Sequence, residues 1–132
     1  MMRDHILLYI NGQRVTVSDE KAFLPLADFL RYHRSRPGTK IVCAEGDCGA
    51  CTVLIGRPNL DDSAGSPLEF SSMNSCIAPV FLMDCAHIIT VEGLEENGQQ
   101  DPVQQAFVEC NASQCGFCTP GFVMAMACVL ER

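Results

Sequence analysis

The sequence has little positive charge and no long apolar run. Only nine lysine and arginine residues stand against 16 acidic residues, which gives a formal net charge of −7. A protein that binds nucleic acid regardless of its sequence carries the opposite charge, so this class is excluded. A membrane helix requires roughly 20 apolar residues in succession, and the chain has no such run. We therefore expect neither a nucleic acid nor a membrane among its partners.

An export signal is missing as well. Residues 1–5 lead into only five apolar residues before Asn11-Gly12, which is too short for the core of a signal peptide. The chain also lacks the Arg-Arg pair that twin-arginine export requires. We therefore expect a cytoplasmic protein.

Cysteine, in contrast, is abundant. The chain of 132 residues contains nine cysteines, which is an odd number. A secreted disulfide scaffold would have an even number and an export signal, so it fits poorly. In a reducing compartment, closely spaced thiols more often bind a metal or carry out redox chemistry. The apolar share of 48% and the charged share of 19% are typical of a folded chain and exclude a disordered tail.

Local patterns predict an α+β chain that changes character near residue 94. Residues 5–18 predict a β-hairpin, because Asn11-Gly12 readily supplies the two positive φ angles of a type I′ turn. Asp101-Pro102 and Thr119-Pro120 each predict the start of a helix. We expect one domain at 1–93, with strands and one helix, and a second, helical domain at 94–132. The other predicted elements are a helix from Pro25, strands at 52–55 and 87–91, an exposed loop at 56–67 and a linker at 93–101.

The strongest functional signal is a cysteine motif in the first part of the chain. Cys43, Cys48 and Cys51 follow the spacing C-x4-C-x2-C, and Cys76 lies farther along. This spacing is typical of plant-type 2Fe–2S sites. Two irons bridged by two sulfides need four thiolates, so a tight loop can supply three of them while another element supplies the fourth. The motif therefore predicts a 2Fe–2S cluster.

The same loop contains two glycines, Gly46 and Gly49, which are candidate cofactor-binding residues. Glycine permits unusual φ angles and lets backbone N–H groups approach the sulfur atoms, where they influence the reduction potential. Zinc is the alternative, because four cysteines also suit a tetrahedral site. Zinc modules usually pair two C-x2-C knuckles, whereas this loop has one.

A second, shorter motif lies near the C-terminus, where two residues separate Cys115 from Cys118. Adding Cys110 repeats the C-x4-C-x2-C spacing but leaves the set one ligand short. If Thr119 caps a helix, Cys128 lies about 13 Å along it, too far to close a cluster held at Cys118. The motif therefore predicts half of a metal site whose other ligands are absent. A dithiol of the thioredoxin type is the alternative, although no strand clearly precedes the motif.

Together these motifs resemble the iron–sulfur part of molybdenum hydroxylases, and the resemblance is strongest to the small subunit of bacterial xanthine dehydrogenases. It covers essentially the whole chain and rests on two independent motifs in the right order. The segments that carry it are 43–51, 74–76, 91–94, 102–105 and 114–122.

This resemblance implies a β-grasp, ferredoxin-like domain with the first cluster, followed by the start of an all-α domain with the second. The implied site residues are Cys43, Cys48, Cys51 and Cys76 for the first 2Fe–2S cluster, Cys115 and Cys118 for half of the second, and Gln114 near the pterin cofactor of a partner subunit. The family's remaining C-x-C pair and later helices are absent, so we expect a truncated chain with one complete ligand set. The remaining cysteines, Cys85, Cys110 and Cys128, are expected to be buried and inert.

The resemblance also implies that the chain conducts electrons and does not bind substrate. In the family, a molybdopterin-binding large subunit hydroxylates a substrate such as xanthine, and electrons pass through the iron–sulfur part to FAD and then to NAD⁺. We therefore expect FAD and molybdopterin in the full enzyme, bound by partners and not by this chain. Two alternatives are a stand-alone ferredoxin-like carrier and a zinc-binding interaction module.

Overall fold

A mixed five-stranded sheet lies at the centre of the computed structural model, which describes residues 2–61, 63 and 65–130. The strands are β1 Ile6–Ile10, β2 Gln13–Val17, β3 Thr52–Pro58, β4 Leu68–Asn74 and β5 His87–Ile89. Their order across the sheet is β2-β1-β5-β3-β4. Strands β1 and β5 are parallel, and all other neighbouring strands are antiparallel.

Helices flank this sheet. The helices are α1 Leu26–Asp28, which continues as a π-helical turn over Phe29–His33, α2 Pro102–Glu109 and α3 Thr119–Leu130. Short 3-10 turns cover Glu20–Phe23, Val80–Met83 and Val91–Leu94. Within the described ranges, no helix combines the length and apolar character needed to cross a bilayer. The predicted α+β class is confirmed.

The predicted hairpin is confirmed, and its turn is tied to the rest of the sheet. Asn11 and Gly12 have φ angles of 49° and 81°, as a type I′ turn requires. The Asn11 side chain accepts a hydrogen bond from the Thr90 N–H and donates one to the Thr90 hydroxyl, both at 2.9 Å. The turn is therefore anchored beyond the end of β5.

Strand β3 is buried on both faces, which explains its uninterrupted apolar sequence. Val53 and Ile55 face a core that contains Leu30 of the first helical segment. Leu54, which points to the opposite face, packs against Met124 of α3. The sheet is thus covered by α1 on one side and by α3 on the other.

The structure corrects some predicted boundaries. The loop predicted at 56–67 is shorter, because β3 continues to Pro58; residues 62 and 64 of that range lie outside the described residues. Strand β4 was missed because several of its residues are polar and only partly buried, so the sequence shows no clear apolar alternation. The strand predicted at 87–91 ends at Ile89, and Val91–Leu94 forms a 3-10 turn.

Both helices predicted after residue 100 are confirmed. Helix α2 begins with a capping box, in which Asp101 accepts from the Val103 N–H and Gln104 accepts from the Asp101 N–H. Helix α3 includes Thr119 as its first residue. If Thr119 were the N-cap, the helix would begin one residue later, at Pro120.

The two-sided burial of β3 predicts a large cost for truncating its central side chain. Leu54 is 1% exposed, so Leu54→Ala should lower the free energy of unfolding by about 2–5 kcal/mol. Leu60→Ala is the matched control, because Leu60 is 95% exposed. Urea unfolding followed by circular dichroism measures both. Equal stability of the two variants would contradict the packing of α3 on β3.

A second prediction concerns pH. The Gly12 N–H donates to Nε2 of His87 at 3.0 Å, and burial lowers the pKa of His87 below its ordinary value of 6.5. As the pH falls below 6.5, the unfolded chain takes up a proton that the folded ring resists, so stability should fall. His87→Gln should weaken this pH dependence, whereas His33→Gln at an exposed position should keep it. Unfolding curves measured between pH 5 and 8 give the stability of each protein. The same pH dependence in both variants and in the parent would contradict the prediction.

Candidate metal centre

Residues 43–51 form an irregular loop that wraps around the side chain of its own first cysteine. Ala44, Gly46 and Gly49 have φ angles of 56°, 80° and 75°, in the left-handed region that glycine adopts most easily. Three such residues within one short loop turn the backbone sharply. The N–H groups between them can therefore point toward the interior of the loop.

Backbone donors converge on the sulfur of Cys43. Its Sγ accepts hydrogen bonds from the N–H groups of Glu45 at 3.5 Å and of Asp47 and Cys48 at 3.4 Å. These donors lower the pKa of the Cys43 thiol to about 6, and the N–H of Cys48 has the largest effect. Because hydrogen bonds from N–H groups stabilise the negatively charged form, this sulfur is held as a thiolate ready for a metal.

Cys51 and Cys76 form a second, buried pair. They lie next to each other because β3 and β4 pair Thr52 with Asn74, so Cys51 precedes one strand and Cys76 follows the other. The Cys76 N–H donates to Cys51 Sγ at 3.4 Å, and the two residues are 3% and 8% exposed. The pKa of Cys76 is raised to about 11, mainly because the thiol is buried and secondly because of its hydrogen bond with the Cys51 thiol. A bound cation would reverse this shift by deprotonating the ligand thiol.

Three polar side chains that sequence reasoning missed hold the loop in place. Asn74 donates to the Gly46 carbonyl, Ser75 to the Cys51 carbonyl and Thr52 to the Gly49 carbonyl, each at 2.6 Å. Ser75 is fully buried. Their position in the sequence was a usable signal, because Asn74 and Ser75 directly precede one candidate ligand and Thr52 directly follows another. These bonds tie the loop to the ends of β3 and β4.

The four thiols are arranged as two pairs. Cys48 contacts Cys43 through both its N–H and its side chain, and Cys76 contacts Cys51 in the same way. The loop itself joins the two pairs, because only two residues separate Cys48 from Cys51. The Gly46 N–H opposes the rise in the pKa of Cys76, because a backbone donor stabilises the thiolate.

This arrangement distinguishes between the two candidate metal centres. A zinc site places all of its ligands around one ion. In the part of the chain that the structure describes, no three Cys, His, Asp or Glu side chains converge in that way. A 2Fe–2S cluster needs two thiolates at each of two irons, and the pairs Cys43–Cys48 and Cys51–Cys76 match that requirement. The donor set therefore fits a binuclear iron–sulfur cluster.

The second motif lies on the surface. Cys115 and Cys118 are exposed and stand on a turn directly before α3, with Gly116 between them at a φ angle of 85°. Gln114 is exposed as well. None of the hydrogen bonds found around the first four thiols, within the described residues, involves these three side chains.

The expectation for the remaining cysteines is partly wrong. Cys128 is buried as predicted, at 3% exposure, but Cys85 and Cys110 are exposed. Cys85 lies in a turn with a φ angle of 59°, where its sulfur is 3.9 Å from a guanidinium nitrogen of Arg3. Cys110 follows the last turn of α2 and faces solvent. Apolar neighbours in sequence were a poor guide, because both residues lie at chain reversals.

The pairing of the thiols predicts which cysteine matters for metal binding. Cys51→Ser should remove most of the bound iron, because it leaves Cys76 without its partner. Cys85→Ser should leave the iron content unchanged, since Cys85 is exposed and lies outside the two pairs. Iron analysis of anaerobically purified variants measures both. A Cys51→Ser protein with the full iron content would contradict the assignment.

Comparison with known protein families agrees with this geometry. Residues 8–81 match the family described as 2Fe-2S iron-sulfur cluster binding domain. Residues 90–132 match a second family, described as 2Fe-2S binding domain. The two matches together cover most of the chain.

Relatives of known activity cover the chain but are much longer. The chain is 40% identical over 127 residues to the xanthine dehydrogenase of Blastobotrys adeninivorans, covering 96% of this chain and 9% of that protein. It is 36% identical over 132 residues to the xanthine dehydrogenase/oxidase of Rattus norvegicus, covering 100% of this chain and 10% of that protein. The chain therefore spans about a tenth of the length of these relatives.

Solved structures extend the similarity to the fold. Quinoline 2-oxidoreductase from Pseudomonas putida 86 superimposes with a TM-score of 0.77 at 33% identity, over 96% of this chain and 69% of that chain. Aldehyde oxidoreductase from Desulfovibrio gigas gives a TM-score of 0.78 at 28% identity, over 96% of this chain and 13% of that chain. The expected ferredoxin-like domain followed by the start of a helical domain is thereby confirmed. The chain belongs to the 2Fe–2S iron–sulfur cluster binding family, and it is similar to the iron–sulfur parts of proteins named xanthine dehydrogenase, quinoline 2-oxidoreductase and aldehyde oxidoreductase.

Proposed function

We propose that this chain carries electrons through a 2Fe–2S cluster within a larger molybdenum hydroxylase of the xanthine dehydrogenase type. The observation that supports this most directly is the arrangement of four thiols as two pairs, one of them with backbone N–H donors around its sulfur. When bound, a 2Fe–2S cluster supplies a centre that takes up and releases one electron. The chain itself offers no substrate site in this proposal.

We assign one iron to Cys43 and Cys48 and the other to Cys51 and Cys76. Gly46 and Gly49 serve the same centre, since their positive φ angles turn the loop so that N–H groups reach the sulfur atoms. Hydrogen bonds to the sulfurs stabilise added negative charge and tend to raise the reduction potential. The net charge of −7 acts in the opposite direction.

The two pairs differ in exposure, which suggests a direction for electron exchange. Cys51 and Cys76 are buried, whereas Cys43 is half-buried and Cys48 is exposed. A redox partner can therefore approach the centre from the Cys43–Cys48 side, with the buried pair shielded from water. In the proposed enzyme, this exposed side faces a neighbouring redox domain.

The second motif has a corresponding role in the proposal. Cys115 and Cys118 supply half of the ligands of a second 2Fe–2S cluster, and Gln114 lies near a pterin cofactor held by a partner. We divide the chain at residues 93 and 94, with the first cluster on 1–93 and the second motif on 94–132. The family match over residues 90–132 supports a separate role for that segment.

The proposed partners are a molybdopterin-binding large subunit, which delivers electrons, and an FAD domain or subunit, which receives them. We place this assembly in the cytoplasm, where thiols remain reduced. The related proteins are named after different substrates, namely xanthine, aldehyde and quinoline. Their iron–sulfur parts are nevertheless 28–40% identical to this chain. Substrate choice therefore belongs to the partner.

Anaerobic purification tests the proposal. The protein should be red-brown, contain about two irons and two sulfides per chain, and give an EPR signal after reduction with dithionite. Reoxidation should restore the original absorption spectrum, as reversible electron transfer requires. Colourless protein with one zinc per chain would contradict the proposal and favour an interaction module.

A further inference from the structure

The first turn of α3 lies directly against the loop that carries the candidate ligands. A Cβ atom built on Gly121 would lie 2.2 Å from the Gly49 carbonyl oxygen and 3.1 Å from the Cα of Ala50. Both neighbours are backbone atoms, which cannot rotate away as the end of a flexible side chain can. Gly121 is itself buried. Its φ angle is outside the left-handed region, so a glycine is needed here for space and not for backbone conformation.

The contact falls at a sensitive point of the loop. Gly49 and Ala50 are the two residues between Cys48 and Cys51. The Gly49 carbonyl already accepts hydrogen bonds from the N–H and the hydroxyl of Thr52, at 3.1 and 2.6 Å. It is thus held by β3 on one side and by α3 on the other. A shift of this peptide would move both adjacent cysteines.

Helix α3 is not free to withdraw from the loop. Met124 and Cys128, one and two turns beyond Gly121, are 0% and 3% exposed and pack against Leu54 of β3. Any side chain added at Gly121 must therefore displace either the loop or a helix that is anchored to the sheet. Restoring even 3.0 Å between that carbon and the Gly49 oxygen requires a movement of about 0.8 Å.

We propose that Gly121 is a positioning residue for the first metal centre. Its missing side chain lets α3 press on the Gly49–Ala50 peptide and hold Cys48 and Cys51 in the geometry that the cluster requires. This inference rests on the function proposed above. It also connects the two cysteine motifs, because the Cys118 carbonyl accepts from the Phe122 N–H in the same first turn of α3, at 3.2 Å.

Gly121→Ala tests this role, with Ala125→Gly as the control. Alanine favours helix over glycine, so without the contact Gly121→Ala would raise the melting temperature. We expect it to lower the melting temperature, and the loaded protein to lose iron to a chelator about 10-fold faster, as for residues that orient metal ligands. Its EPR g values and midpoint potential should also shift. Ala125→Gly weakens the same helix at an exposed position one turn farther along, so it should lower the melting temperature and leave both redox readouts unchanged.

A raised melting temperature with unchanged EPR spectrum, potential and iron loss would overturn the proposal. So would equal redox shifts in Ala125→Gly, since the effect would then come from general weakening of the helix. NMR of the loaded parent protein tests the contact even if Gly121→Ala fails to fold. The Gly121 amide signal should be broadened by the paramagnetic centre more than that of Ala125, and equal broadening would overturn the contact.

These outcomes are separate from a failure of the proposed function. If the parent protein bound no iron, the electron-transfer proposal would fall on that result alone. The melting temperature of iron-free Gly121→Ala, compared with that of the iron-free parent, would still show whether Gly121 contacts the loop. A decrease would support it, and an increase would overturn it.

Discussion

The structure depends on keeping two pairs of thiols, Cys43 with Cys48 and Cys51 with Cys76, together without a disulfide. Bringing ionised sulfurs together is unfavourable, because like charges raise each other's pKa and burial disfavours the charged form. The chain meets this constraint differently at the two pairs. At Cys43, backbone N–H groups stabilise the thiolate directly. At Cys76, burial raises the pKa instead, so that a metal cation has to supply the compensating charge.

The scaffold explains why such a site can be rigid. The register of β3 and β4 brings the ends of two strands together, which places Cys51 beside Cys76. Side chains at those strand ends hold three loop carbonyls, and α3 closes the loop from outside at Gly121. Because β3 is buried on both faces, movement of α3 is transmitted to the strand that leads out of the metal loop. The ferredoxin-like part and the helical segment are therefore packed against each other.

Much of this could be predicted from the sequence. The hairpin, both C-terminal helices and the metal motif have local signals, namely a turn dipeptide, capping residues and cysteine spacing. Strand β4 could not be predicted, because polar residues such as Ser71 and Ser72 lie on it and its pairing with β3 is a non-local contact. The exposure of Cys85 likewise depends on a chain reversal that the sequence does not mark. The role of Gly121 depends on a contact across more than 70 residues, which no local pattern reveals.

The central claim is that the two pairs of thiols bind two bridged irons rather than one metal ion. X-ray absorption spectroscopy at the iron edge of the anaerobically purified protein tests it most directly. We predict four sulfur neighbours around each iron, two from cysteine and two from bridging sulfide, together with a short iron–iron distance. Four sulfur neighbours without an iron–iron signal would indicate a mononuclear site and would contradict the account.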